Sequence, residues 1–179
     1  APISRALIAG GLVACLLSCV LGGSTPNSSS GSRPGLTYRD ANGCGNLLVY
    51  AVSSDRREYL IIHASRRQLN LSAAESWFDL AAPPDGLVVK IDLYAKPPET
   101  DELYCTDFVD ERETPIDTWK AIRGKLRISL TGFVDAAEGH RQEEYWAHVR
   151  LEYAAFQDAS GEIVWQDAPI ELDAEVGWM

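Results

Sequence analysis

Few side chains in this sequence could do chemistry. There are three histidines: His63, His140 and His148. His63 lies in the apolar run EYLIIHA and reads as a packed residue. His140 falls in a loop. His148 alternates with Arg150 and Glu152 on one face of a strand, where solvated cross-strand pairs contribute a few tenths of a kcal/mol, about 0.2–1. No two histidines have zinc-site spacing, and HExxH, GxSxG and a Gly-rich phosphate loop are all missing. The sequence therefore assigns no catalytic residue, no metal ligand and no cofactor. Acidic residues crowd Glu99 to Asp117: Glu99, Asp101, Glu102, Asp107, Asp110, Glu111, Glu113 and Asp117. Calcium wants about six to eight converging oxygens. The spacing fits no EF-hand, so a charged surface loop is the simpler reading. Two carboxylates could serve a glycosidase, but among so many acids the sequence singles out no pair.

The N-terminal run sets where the chain acts. After Arg5 no charge occurs from Ala6 to Gly23. A short positive start followed by an apolar run ending in small residues has the form of an export signal. Within it, Leu16-Leu17-Ser18-Cys19 resembles the lipobox of bacterial lipoproteins, and Leu12-Val13-Ala14-Cys15 fits the same pattern. Cys19 leaves the longer apolar run behind Arg5 and is preferred; Cys15 is the alternative. The resemblance implies a signal peptide over 1–18, an acylated Cys19, and attachment to the bacterial cell envelope through N-terminal lipid. Val20, rather than Asp, follows Cys19. In the enterobacterial pattern that points to the outer membrane. An ordinary cleaved signal and an uncleaved anchor are the other readings. The uncharged run is at the lower edge of a spanning helix, about 18 residues, and its four glycines weaken such a helix. The segment GGSTPNSSSGSRPG, Gly22 to Gly35, is a flexible tether, so 19–35 is assigned as linker.

In an exported chain, an isolated cysteine pair is most simply a disulfide. Cys44 and Cys105 are that pair. Closing a loop of about 60 residues contributes about 4 kcal/mol on the chain-entropy estimate. A metal site would need two further ligands. A nucleophilic Cys44, set in Gly43-Cys44-Gly45, would need a base that its flanks do not supply.

The chain has 179 residues and a net charge of −10, with 26 acidic against 16 basic side chains. That balance repels phosphate backbones and excludes nucleic acid as a partner. Residues 36–179 suffice for one domain with a real core. Apolar/polar alternation marks strands. Asn46–Ser53 and Glu58–Ala64 form a hairpin around Ser54-Asp55-Arg56-Arg57. Over Leu69–Ala82 a capping-box helix from Ser72 competes with a strand at Trp77–Leu80, Phe78 and Leu80 facing inward; the strand is favoured because its surroundings are β. Pro84-Asp85-Gly86 is a turn. In Leu87–Tyr94, Leu87, Val89, Ile91 and Leu93 face inward, and Lys90 and Asp92 outward. Leu103–Val109, with Cys105, reads as a strand. In Gly124–Thr131, Leu126, Ile128 and Leu130 face inward. In Glu144–Gln157, Tyr145, Ala147, Val149, Leu151 and Tyr153 share one face. Glu162–Trp165 and Pro169–Trp178 complete the series.

These elements predict a mainly β fold, an antiparallel β-sandwich with an immunoglobulin-like arrangement as one option. Of the five tryptophans, Trp146 is out of phase with its strand's apolar face. With Trp119 or Trp165 nearby it could stack on a sugar or a partner peptide, and it is the candidate aromatic contact. The sequence thus points to a non-catalytic binding or structural module of the envelope, with an envelope protein or glycan as partner. An exported hydrolase acting on envelope polymer, and a calcium-dependent carbohydrate-binding or adhesion module, are the alternatives.

Overall fold

A computed structural model describes residues 37–99, 103–105, 114–135 and 143–177. The segments expected to be signal peptide and tether, with Cys15 and Cys19, lie outside these residues. So do His140, Trp178 and most of the acidic run, Asp101, Glu102, Asp107, Asp110, Glu111 and Glu113.

Among the described residues nine strands follow in order: β1 (Tyr38–Cys44), β2 (Leu48–Ser53), β3 (Glu58–Ala64), β4 (Ser76–Asp79), β5 (Leu87–Leu93), β6 (Asp117–Asp135), β7 (Glu143–Gln157), β8 (Ile163–Gln166) and β9 (Ile170–Val176). All pairings are antiparallel. The expected antiparallel, mainly β fold is therefore what the chain adopts. Its strands belong to one sheet, ordered β1-β2-β3-β5-β6-β7-β8, with β4 added to β6 and β9 to β7. The sheet rolls until its two halves face each other across a single core, nearly closing into a barrel. Where the ends approach, Gly43 of β1 lies against β9. A Cβ there would fall 2.5 Å from the Glu175 carbonyl oxygen and 2.7 Å from Val176 Cγ1, so only glycine fits.

The two long strands make the roll possible. Early in β6, Ile91 of β5 sits opposite Trp119; further on, Phe78 of β4 sits opposite Leu126. β7 pairs with β9 through Tyr145–Leu151 and with β8 through Ala154–Gln157. Between these regions the β6–β7 register slips twice, from Ala121 to Arg123 and from Arg123 to Lys125. Here Tyr153 has φ 51° and Gly124 has φ 131°. A bulge inserts a residue, bends its strand and shifts the side-chain phase by one. That shift corrects one sequence-based expectation. Val149 and Leu151 point inward as anticipated, but Tyr153 is 67% exposed, and Ala154 and Phe156 enter the core instead. Strict alternation cannot foresee a slipped phase.

The core joins the inward faces of both halves, including Leu60, Ile62, Val89, Leu126, Ile128, Val149, Leu151 and Phe156. Each such side chain gains about 1.5–3 kcal/mol by leaving water. The favoured strand forms as β4, Ser76–Asp79, and Leu80 falls in the turn that follows: Phe78 packs on the core, Leu80 is buried, and Trp77 points out. The β2–β3 hairpin turns at Ser53–Glu58, where Ser53 Oγ donates to Asp55 Oδ1 at 2.6 Å. That hydrogen bond, with the Arg57 amide and charge helping and slight burial opposing, holds the Asp55 carboxyl below its ordinary range.

A second apolar cluster lies on the opposite face of β2, β3 and β5. Tyr50, Val52, Tyr59, Ile61 and Tyr94 pack there beneath Leu103, Tyr104 and Cys105. The Cys44–Cys105 disulfide fastens this cover to the end of β1. Leu103–Cys105 is a turn rather than the start of a strand. Its residues follow the shape of the tyrosine cluster beneath them instead of pairing in the sheet.

Candidate functional site

The outer face of β4, β6, β7 and β9 collects most of the polar and aromatic side chains that could act on a ligand. Register places them in rows across the strands. One row runs Trp77, Arg127, Arg150, Glu171. The next runs Ser129, His148, Asp173, and the third Thr131, Trp146, Glu175. Rows two residues apart project from the same face because the side-chain period of a strand is two.

Salt bridges knit the first row. Arg127 Nη1 meets Glu75 Oε1 at 2.7 Å, and its guanidinium lies 5.8 Å from the Trp77 ring centroid. Arg150 donates through Nε to Glu152 and through Nη1 to Glu171, each at 2.5 Å. The Glu152 bond, then the charges of Glu152 and Glu171, hold the Arg150 guanidinium above its already high range. Exposed pairs of this kind contribute little stability, about 0–1 kcal/mol. Their effect is to fix long side chains in place.

The junction of the second and third rows is chemically distinctive. Thr131 Oγ1 lies 2.6 Å from His148 Nε2, and His148 Nδ1 lies 2.6 Å from Asp173 Oδ1. An ionised carboxylate only accepts, so Nδ1 carries the proton in that bond. In the neutral ring Nε2 is then an acceptor, and Thr131 donates to it. Hydroxyl, imidazole and carboxylate thus stand in series, supplied by three neighbouring strands. His148 and Asp173 are well exposed. Beside Thr131 the ladder slips again before Val134, and Gly132 takes φ 71° with Trp146 against it. From there an open groove of about 410 Å³ runs past Thr131 and Gly132 to Leu71, Ser72, Leu130 and Tyr145. Arg66 closes its far side, its guanidinium 4.2 Å above the Tyr145 ring.

The other concentration of polar atoms is buried. Asp92, on the covered face of β5, is 1% exposed. It accepts from Lys90 Nζ at 2.6 Å, Thr118 Oγ1 at 2.7 Å and Tyr104 Oη at 2.9 Å. Tyr94 and Tyr104 share a hydroxyl–hydroxyl bond of 2.8 Å. Burial, then the Tyr94 bond and the nearby Asp92 charge, push the Tyr104 phenol far above its ordinary range. Tyr104 is therefore a fixed donor. The network neutralises a buried carboxylate and fastens the cover. The sequence put Asp92 on an outward face and could not show that the face is covered.

Trp146 is 45% exposed, as its phase suggested. The partners anticipated for it are elsewhere. Trp119 is buried, its Nε1 donating to Asp117 at 2.8 Å. Trp165 is exposed but stands opposite Ala155, nine positions and about 30 Å along β7 from Trp146. It packs under Arg123 instead, 5.8 Å from ring centroid to guanidinium. Trp77 is the tryptophan that shares the face with Trp146. Two strand spacings and four strand positions separate them, about 17 Å in all. His63 corrects another expectation: it is exposed, opposite Leu48 and Val88 on the outer side of β3. Among the described residues no group of three His, Cys, Asp or Glu side chains is placed to hold a metal ion.

No family model matches this chain, and no curated protein or solved structure is significantly similar to it.

Proposed function

We propose that this chain is an envelope-anchored binding module whose ligand face is the outer surface of β4, β6, β7 and β9. The anchor part of the reading comes from the lipobox-like Leu16–Cys19 and the tether that follows. The binding part is carried by one observation: Trp77 and Trp146, 51% and 45% exposed, stand on one face with hydrogen-bonding side chains fixed between them. Exposed tryptophans offer flat apolar surface to a sugar ring, while Arg150, His148, Asp173 and Glu171 offer bonds to hydroxyls. The spacing suits an extended polymer lying across the rows rather than a small molecule in a pocket.

Charge narrows the class. Glu75, Asp79, Glu152, Glu171, Asp173 and Glu175 outnumber Lys125, Arg127 and Arg150 around the face. A polyanion is disfavoured there, and a neutral or amine-bearing glycan is favoured. The disulfide fits an oxidising compartment.

The test is co-sedimentation of the mature protein with insoluble envelope glycan, comparing wild type with W77A, W146A and the double variant. Both side chains are exposed, so the fold should survive. Each single substitution should weaken binding at least tenfold, about 1.4 kcal/mol, and the double variant should abolish it. Undiminished binding in W77A/W146A would sink the assignment. Intact mass of protein extracted from membranes tests the anchor: acyl mass on a chain beginning at Cys19 or Cys15 supports it, and an unmodified chain rejects it.

A further inference from the structure

We propose that Thr131, His148 and Asp173 form an acyl-transfer centre, with Thr131 as nucleophile and an O-acyl ester of a polyol as substrate class. The polyol part rests on the glycan reading above; the chemistry does not.

The argument starts from the two 2.6 Å contacts in series. A hydroxyl is a weak nucleophile until a base takes its proton, and an imidazole oriented by a carboxylate is the recurrent means of doing so. Asp173 fixes the tautomer that leaves Nε2 free to accept from Thr131. Three strands of one ladder, β6, β7 and β9, hold the groups, so their alignment does not depend on a loop. Asp173, Arg150 and Glu175 are the charged neighbours that register brings to His148 and Trp146. A simple cross-strand polar pair would account for His148 and Asp173. It would not account for the setting of Thr131, at a bulge, beside a left-handed glycine and at the rim of a groove. A bulge places backbone N–H groups outside the regular ladder. An oxyanion developing at Thr131 would draw on such donors from Gly132, the next residue in the chain. The groove beside Thr131, bounded by Gly132, Ser72 and Tyr145, leaves room for a short acyl chain.

The reaction balances without an added cofactor. Thr131 Oγ1 attacks the ester carbonyl carbon as its proton passes to His148 Nε2. The C–O bond to the alcohol breaks, and that alkoxide leaves with the proton from Nε2. The acyl group is then an ester of Thr131. Water attacks it with His148 again as base, releasing the carboxylic acid and restoring the hydroxyl. Exposure of His148 and Asp173 keeps water abundant for the second step. It also limits the gain from the base to the low end of its usual range, about 100-fold.

The experiment is hydrolysis of p-nitrophenyl acetate by the mature protein, with T131A, T131S and H148A alongside. Wild type should release nitrophenol faster than buffer and carry an acetyl group on the Thr131 peptide in a quenched digest. T131A and H148A should lower the enzyme-dependent rate about 100-fold and lose the acetyl-peptide, while T131S retains both. Unchanged thermal melts would show that the variants are folded. No rate above buffer, or T131A as fast as wild type, overturns the proposal. Loss in H148A with full activity in T131A also overturns it, because water would then be the nucleophile. Polymer co-sedimentation is read separately. Glycan binding without ester hydrolysis rejects the acyl centre alone, and hydrolysis without binding rejects the glycan reading alone.

Discussion

Cutting the Cys44–Cys105 link tests how the covered face is held. The two residues are 61 apart in sequence. On the chain-entropy estimate, opening that loop returns about 14 cal/mol/K to the unfolded chain, about 4 kcal/mol at 25 °C. A domain of this size is stable by roughly 5–15 kcal/mol, so the link accounts for a large share. At about 2–4 °C per kcal/mol, the melting temperature should fall by roughly 10–15 °C. The assay is thermal unfolding followed by circular dichroism, with and without reductant, and again in the C44S/C105S variant. The structure adds a local signature. Leu103 and Tyr104 pack over Tyr50 and Tyr59, with ring centroids 5.5 and 5.6 Å from Tyr104. The near-UV tyrosine signal should therefore weaken on reduction at temperatures where the far-UV sheet signal persists. A fall of less than about 3 °C, with the tyrosine signal unchanged, would refute the reasoning. The cover would then be held by packing and the Asp92 bonds alone.

D92A and D92N should each destabilise by about 1–3 kcal/mol, because the Tyr104 and Thr118 hydroxyls lose their carboxylate acceptor beneath the cover; chemical denaturation measures both. Alkaline unfolding should set in above the ordinary tyrosine value of 10.0, since the folded state holds the Tyr104 proton after the unfolded chain has lost it. Y104F should move that transition to higher pH, seen in a pH series of melts. G124A should cost about 1–3 kcal/mol, because φ is 131° and the new Cβ would lie 2.9 Å from Ala154 Cα; equilibrium urea unfolding gives the value.

The candidate face was only half legible. That Trp146 and His148 project from one side of a strand follows from period-two alternation, and both do. The neighbours across the ladder did not follow, because pairing depends on which strands meet and at what register. Thr131 and Asp173 stand 17 positions before and 25 after His148 in the chain. No local pattern links them, and the strand that carries Asp173 reached its partner only after the chain had turned through β8. The aromatic partner was misplaced for the same reason: Trp165 shares a spacing habit with Trp146 but attaches to the far end of β7.

By itself the sequence determined the antiparallel β character, the hairpin at Ser54–Arg57, the inward residues of β5 and β6, and the cysteine pairing. Alternation, turn chemistry and the count of cysteines are local or compositional signals, and they survive whatever the global arrangement is. Tertiary structure decided the rest. It turned Tyr153 outward through a bulge set against Gly124, buried Asp92 beneath a disulfide-tied cover, exposed His63, and brought Thr131 within reach of the His148–Asp173 pair from the neighbouring row. Each of these depends on backbone register between distant segments, and a slip of one residue would send every one of those side chains to the other face.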